Sequence, residues 1–131
     1  MMFALAFLAC SGLLVFHMFK IKKEAEKFVT FIGEGKSMEP SLYDGDTLLV
    51  DPKTTPKQGD VVIFDCLKCV FPDGNTTVSM TKRVIEIDSK GCWWVEGDNK
   101  KNSYDSREPG VGWLCPEDMK LHGVVVKIQK K

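Results

Sequence analysis

Ser37 and Lys82 are the two side chains whose types could do chemistry together. A serine hydroxyl is a poor nucleophile near pH 7 and becomes competent only when a neighbouring base takes its proton during attack. The familiar histidine partner is missing: His17 lies in an uncharged apolar run, and His122 reads as a structural histidine in a Leu121-His122-Gly123 turn. A lysine can replace it if its amine is neutral. The free amine has a pKa of about 10.4, and bringing it to about 7 takes roughly 4–5 kcal/mol of preferential destabilisation of the ammonium. Burial supplies energies of that size. Lys82 is flanked by Met80, Val84 and Ile85, and strand alternation puts it on one face with Val84 while Arg83 points to the other.

These residues need a scaffold. From Phe28 onward apolar residues come in short runs separated by turn residues, which is a β pattern. The expected strands are Phe28–Ile32, Thr47–Val50, Val61–Phe64, Val78–Ile87, Cys92–Val95 and Gly123–Ile128. Asp44-Gly45, Asp51-Pro52, Pro72-Asp73-Gly74-Asn75, Ser89-Lys90-Gly91 and Pro109-Gly110 punctuate them. The fold class is mainly β, an antiparallel sandwich or partly closed barrel. Ser37 falls in a loop that leads into the second strand, and Lys82 falls inside the fourth.

With 131 residues and 18 basic against 18 acidic side chains, the chain has one domain's worth of sequence and no electrostatic bias toward nucleic acid. Met2 to Phe19 carries no charged residue. Those roughly 18 residues would span about 27 Å as a helix, close to the hydrocarbon thickness of a bilayer. We therefore expect an N-terminal membrane anchor over 1–19, a charged connector over 20–27 and a catalytic domain over 28–131. A cleaved secretory leader would want a basic segment before Phe3, and none is there. The basic flank Lys20, Lys22, Lys23 and Lys27 would by charge alone place the domain in the cytoplasm.

Of five cysteines, Cys10 lies in the expected anchor and Cys66, Cys69, Cys92 and Cys115 in the domain. Cys66-x-x-Cys69 could be half a zinc site, but Cys92 and Cys115 do not form the second close pair. Disulfides pairing Cys66 with Cys69 and Cys92 with Cys115, or ordinary buried thiols, both suit the spacing.

Four blocks carry a family resemblance: Lys36-Ser37-Met38-Glu39-Pro40 with Tyr43-Asp44-Gly45-Asp46, then Gln58-Gly59-Asp60-Val61-Val62-Ile63-Phe64, then Thr81-Lys82-Arg83-Val84-Ile85, then Gly97-Asp98-Asn99 through Ser103-Tyr104-Asp105-Ser106-Arg107. In this order and spacing they resemble the type I signal peptidases, membrane-bound Ser/Lys proteases that remove leader peptides. The resemblance covers residues 33 to 126 and implies a signal-peptidase-type β fold tethered by one transmembrane helix. It makes Ser37 the nucleophile and Lys82 the general base, with the Ser37 N–H in the oxyanion hole. Ser103 would orient the lysine, Met38 would pack beneath the nucleophile, and Asp105 with Arg107 would form a supporting ion pair. Gly97, Asp98 and Asn99 would make a tight turn under the lysine. Many bacterial members have a serine two residues before the nucleophile that donates to the oxyanion; Gly35 stands there, so backbone donors must serve. By position, Ile32, Met38, Met80 and Val84 would line small apolar pockets favouring Ala-sized side chains before the cut.

The resemblance implies no metal and no organic cofactor. Its partners would be secretory precursors and membrane lipid, with the domain on the extracytoplasmic side of the cell membrane as a single-pass protein. Related readings are a specialised conjugative-pilin maturation protease, a mitochondrial inner-membrane peptidase and a non-catalytic peptidase subunit. A self-cleaving repressor uses a similar Ser-Met and Lys-Arg arrangement, but it would need a DNA-binding helix-turn-helix and a scissile Ala-Gly or Cys-Gly bond.

Overall fold

The computed structural model describes residues 27–76 and 79–131. The expected anchor and nearly all of the connector lie outside them; among the described residues no helix is long and apolar enough to cross a membrane. Six strands follow in order: β1 (Val29–Ile32), β2 (Thr47–Asp51), β3 (Val61–Cys66), β4 (Ser79–Ile87), β5 (Trp93–Glu96) and β6 (Met119–Gln129). A single 3-10 turn, Pro116–Asp118, precedes β6. All six join one antiparallel sheet in the order β1-β2-β6-β3-β4-β5. A two-sheet sandwich is thereby set aside. Register shifts at Leu49/Val50, Ile63/Phe64 and Val84/Glu86 mark bulges, which bend and twist strands locally.

The central strand β3 shows why the sheet holds. Its run Val61-Val62-Ile63-Phe64 is buried on both faces, as a continuous β-branched and aromatic run should be. Val62, Phe64 and Cys66 feed one apolar cluster with Met80, Val84, Val95 and Leu114. Val61 and Ile63 feed a second with Met38, Leu42, Leu48 and Val50.

The expected strands all form, with one substantial change of boundary. Strand β6 begins at Met119, four residues before the expected start at Gly123. His122 is therefore a strand residue, not a turn residue, and its Nε2 lies 2.9 Å from Asp65 Oδ1. Gly123 disguised this continuation. A Cβ there would come within 2.5 Å of the Asp51 carbonyl oxygen, so the close approach of β2 requires glycine inside a strand.

Both cysteine pairs are disulfides, Cys66–Cys69 and Cys92–Cys115, which displaces the zinc half-site. The second staples the start of β5 to the segment leading into β6.

Candidate active site

Ser37 and Lys82 line one cleft of about 500 Å³. Both apolar clusters contribute to its walls: Met38, Leu42 and Ile63 from one, Met80 from the other, with Phe71 and Tyr104 closing a side. Ser37 sits on a loop that precedes a tight turn, where Ser41 N–H and Leu42 N–H both donate to the Met38 carbonyl. The loop is pinned at its base. Gly33 N–H donates to Asp46 O and Gly45 N–H to Gly33 O, each at 2.8 Å.

The segment after β5 holds the loop from the other side. Asn99 N–H donates to the Ser37 carbonyl at 2.9 Å, and Asn99 Nδ2 to the Lys36 carbonyl at 3.0 Å. Asp98 accepts Arg83 Nε at 2.8 Å and Nη2 at 2.7 Å, and also takes the Ser41 hydroxyl. These charge-assisted bonds, Arg83's first, hold the Asp98 carboxyl below its ordinary value. Asp98 and Asn99 therefore clamp the nucleophile turn. Gly97 is forced by contact: a Cβ there would fall on the Ser103 side chain and within 2.5 Å of the Ser37 carbonyl oxygen. The Ser37 amide itself engages no described residue, which leaves its N–H available to a substrate oxyanion.

Lys82 is 5 % exposed. Burial pushes its amine down to about 8, Asp105 opposes that shift and Arg107 adds to it. Its Nζ donates to Ser103 Oγ at 3.0 Å, and Ser103 Oγ donates to Asp105 Oδ2 at 2.7 Å. Asp105 is fully buried and also accepts Gly97 N–H at 2.9 Å and Arg107 Nη2 at 2.8 Å. Desolvation raises its carboxyl, but these bonds outweigh it and hold the group at about 2. The direction of the chain of bonds matters. A hydroxyl has one proton, and Ser103 gives it to Asp105, so toward Lys82 it can only accept. A neutral amine has two N–H groups and one lone pair. With one N–H spent on Ser103, the lone pair is left for another proton.

Met38 lines the cleft and is 2 % exposed; Met80 lines it and Ile32 stands at its rim, 59 % exposed at the end of edge strand β1. Val84 does not line it. It is buried in the first cluster beside Val95, its strand partner across β5, because Val84 lies where β5 already covers β4. Gly35 stands outside the cleft lining. Its N–H is committed to Asp44 Oδ1 at 2.9 Å, so it is not an oxyanion donor, and its φ of 80° is one that favours glycine.

Sequence reasoning missed Arg83 and Ser41 as partners of Asp98, and Phe71, Tyr104 and Glu34 as cleft residues. Only Arg83 carried a signal, its place beside Lys82 on the opposite face. One further element feature bears on binding. Strand β5 pairs with Arg83–Ile87 alone, so Ser79–Lys82 of β4, bonded to β3 on one side, present an open edge beside the cleft. A model of the family described as Peptidase S24-like matches residues 14–126 of the chain. No curated protein matches it.

Proposed function

The chain belongs to the Peptidase S24-like family, and from that premise we propose that it is a serine endopeptidase of the signal peptidase I type, cleaving leader peptides after small residues through a Ser37/Lys82 dyad. The observation that carries this reading is the buried Lys82 amine, fixed through Ser103 and Asp105 on the cleft that also holds Ser37. An amine with a pKa of about 8 is neutral in roughly one molecule in ten at pH 7, against a few in ten thousand for a free lysine.

In the proposed reaction the Lys82 lone pair takes the Ser37 proton as Oγ attacks the scissile carbonyl. The developing oxyanion is met by the Ser37 N–H. The Lys82 ammonium returns the proton to the leaving amine, which departs and leaves an acyl-enzyme. Lys82 then takes a proton from a water whose oxygen adds to the acyl carbonyl; the ester C–O bond to Ser37 breaks, Lys82 returns that proton to Ser37 Oγ, and the leader leaves with a new carboxyl group that ionises. The open edge Ser79–Lys82 and the end of β1 would hold the leader extended, by strand addition. The open cleft wall beside Ser37 would take the small residues.

Disulfides at both cysteine pairs favour an oxidising compartment and so an extracytoplasmic domain, with 1–19 as its membrane tether. A self-cleaving relative is the second reading that the family supports, but no Ala-Gly or Cys-Gly pair occurs within these 131 residues. The test is a labelled precursor with an Ala-x-Ala site, incubated with the detergent-solubilised chain and its Ser37→Ala form. Cleavage by the parent alone supports the proposal; no cleavage of precursor by the parent, or equal cleavage by both, overturns it.

A further inference from the structure

Two charged side chains line the cleft, Glu34 and Lys82. Lys82 is buried and its positive charge is disfavoured there, whereas Glu34 is exposed and its carboxylate bonds to no described residue. The backbone that carries it is nonetheless pinned on both sides. Gly33, on one side, is bonded in both directions to the Gly45–Asp46 turn, and Gly35, on the other, donates to Asp44 Oδ1. A carboxylate is thus carried at the cleft, three residues before the nucleophile, on a backbone anchored at both neighbours. Of the other acids nearby, Asp44 takes the Gly35 N–H and does not line the cleft, and three more are paired with basic side chains. Asp46 bonds Lys130, Asp98 bonds Arg83, and Asp65 bonds His122 and faces Lys120 across the sheet.

A second feature points the same way. Ser79, at the far end of the open β4 edge, also lines the cleft. Its hydroxyl donates to Asp65 Oδ1 at 2.6 Å, so like Ser103 it can only accept from what lies in the cleft. Tyr104, whose hydroxyl donates to the Val70 carbonyl, is likewise an acceptor, so beside the Thr81 hydroxyl and Ser37 itself the cleft offers a substrate side chain one carboxylate and acceptor oxygens.

From this we propose that Glu34 is a specificity-determining residue, selecting peptides that carry a lysine or arginine near the scissile bond. The inference rests on the peptidase reading for its substrate class, and deepens it from small residues at the cut to a basic residue beside them. An exposed charge pair of this kind is worth up to about 1 kcal/mol, which makes the expected preference for Lys over Glu about fivefold.

The test scans Lys and Glu through each of the four positions before and two after the cut of an Ala-x-Ala peptide. Each pair is read twice: by kcat/KM with the parent, and by binding of fluorescent peptide to the Ser37→Ala form. The expected result is one position at which Lys is favoured in both readouts. Glu34→Gln should bring that ratio close to one, and Glu34→Lys should invert it. A ratio near one at every position, or a Lys preference unchanged in Glu34→Gln, overturns the proposal. If no peptide is cleaved, the peptidase reading fails by itself, and the binding ratios still decide whether Glu34 selects a cation.

Discussion

Replacing Lys82 by methionine should abolish peptidase activity and at the same time make the protein more stable at neutral pH. Methionine keeps most of the length and apolar stem of lysine but carries no charge. The cost that it removes can be worked from the amine itself. A folded-state value of about 8 against an ordinary 10.5 corresponds to about 3 kcal/mol spent on holding the ammonium in a site that is 5 % exposed. The Nζ–Ser103 hydrogen bond is lost as well, at about 1 kcal/mol, which leaves a gain of about 2 kcal/mol. The sign follows from linkage. Because the folded value lies below the unfolded one, the penalty is full below about pH 8, fades as pH rises toward 10.5 and is absent above it. Urea unfolding of both forms at pH 7 and pH 10 measures it: Lys82→Met should lead at pH 7 and lose most of that lead at pH 10. A variant less stable than the parent at pH 7, or a difference independent of pH, would refute the placement of an unfavourable buried charge at Lys82.

Asp105→Asn should destabilise the fold by about 3 kcal/mol at pH 7, because a buried ion pair loses one member, and should abolish the parent's loss of about 2 kcal/mol between pH 4 and 2. Denaturant titration across that pH range checks both. Since Asp105 opposes the downward shift of Lys82, the acid limb of the rate profile should also move to lower pH in this variant. Gly97→Ala should cut kcat/KM by at least about 10², because the added methyl collides with both Ser103 and the Ser37 carbonyl; single-turnover cleavage kinetics will show it, and near-normal turnover would count against the clamp. Gly35→Ser has room for its side chain, nothing lying within 4 Å, but takes a left-handed backbone, so it should lose about 1 kcal/mol in thermal or urea unfolding. Replacing Cys92 and Cys115 together by serine should cost about 3 kcal/mol, read by the same titration, since that bridge closes a loop of more than 20 residues.

The alternation of Met80, Lys82 and Val84 was enough to place Lys82 inward and Arg83 outward, because a strand's period of two leaves no third choice. The apolar run Val61–Phe64 likewise marked a strand, and in the fold it is buried on both faces. What alternation could not give was extent. Val84 satisfies the same inward rule as Lys82, yet one is core and the other borders the cleft, because β5 ends opposite Arg83. That is a fact of pairing between distant segments. His122 was misread for a similar reason: the glycine beside it looked like a turn, whereas it answers the closeness of Asp51 on β2. The partners of Asp98 and the cleft positions of Phe71 and Tyr104 also join segments far apart in sequence. Local pattern carries no record of such contacts.

The most direct test of the proposed dyad is the titration of the Lys82 ammonium in the folded protein, followed by nitrogen-15 NMR with the Lys82→Met form used to identify its resonance. A midpoint near 8 is the predicted result, and it would supply a neutral amine within hydrogen-bonding distance of Ser103 on the cleft of Ser37. A midpoint at the ordinary 10.5 would contradict it, since Lys82 would then remain an ammonium throughout the neutral range and could take no proton from Ser37.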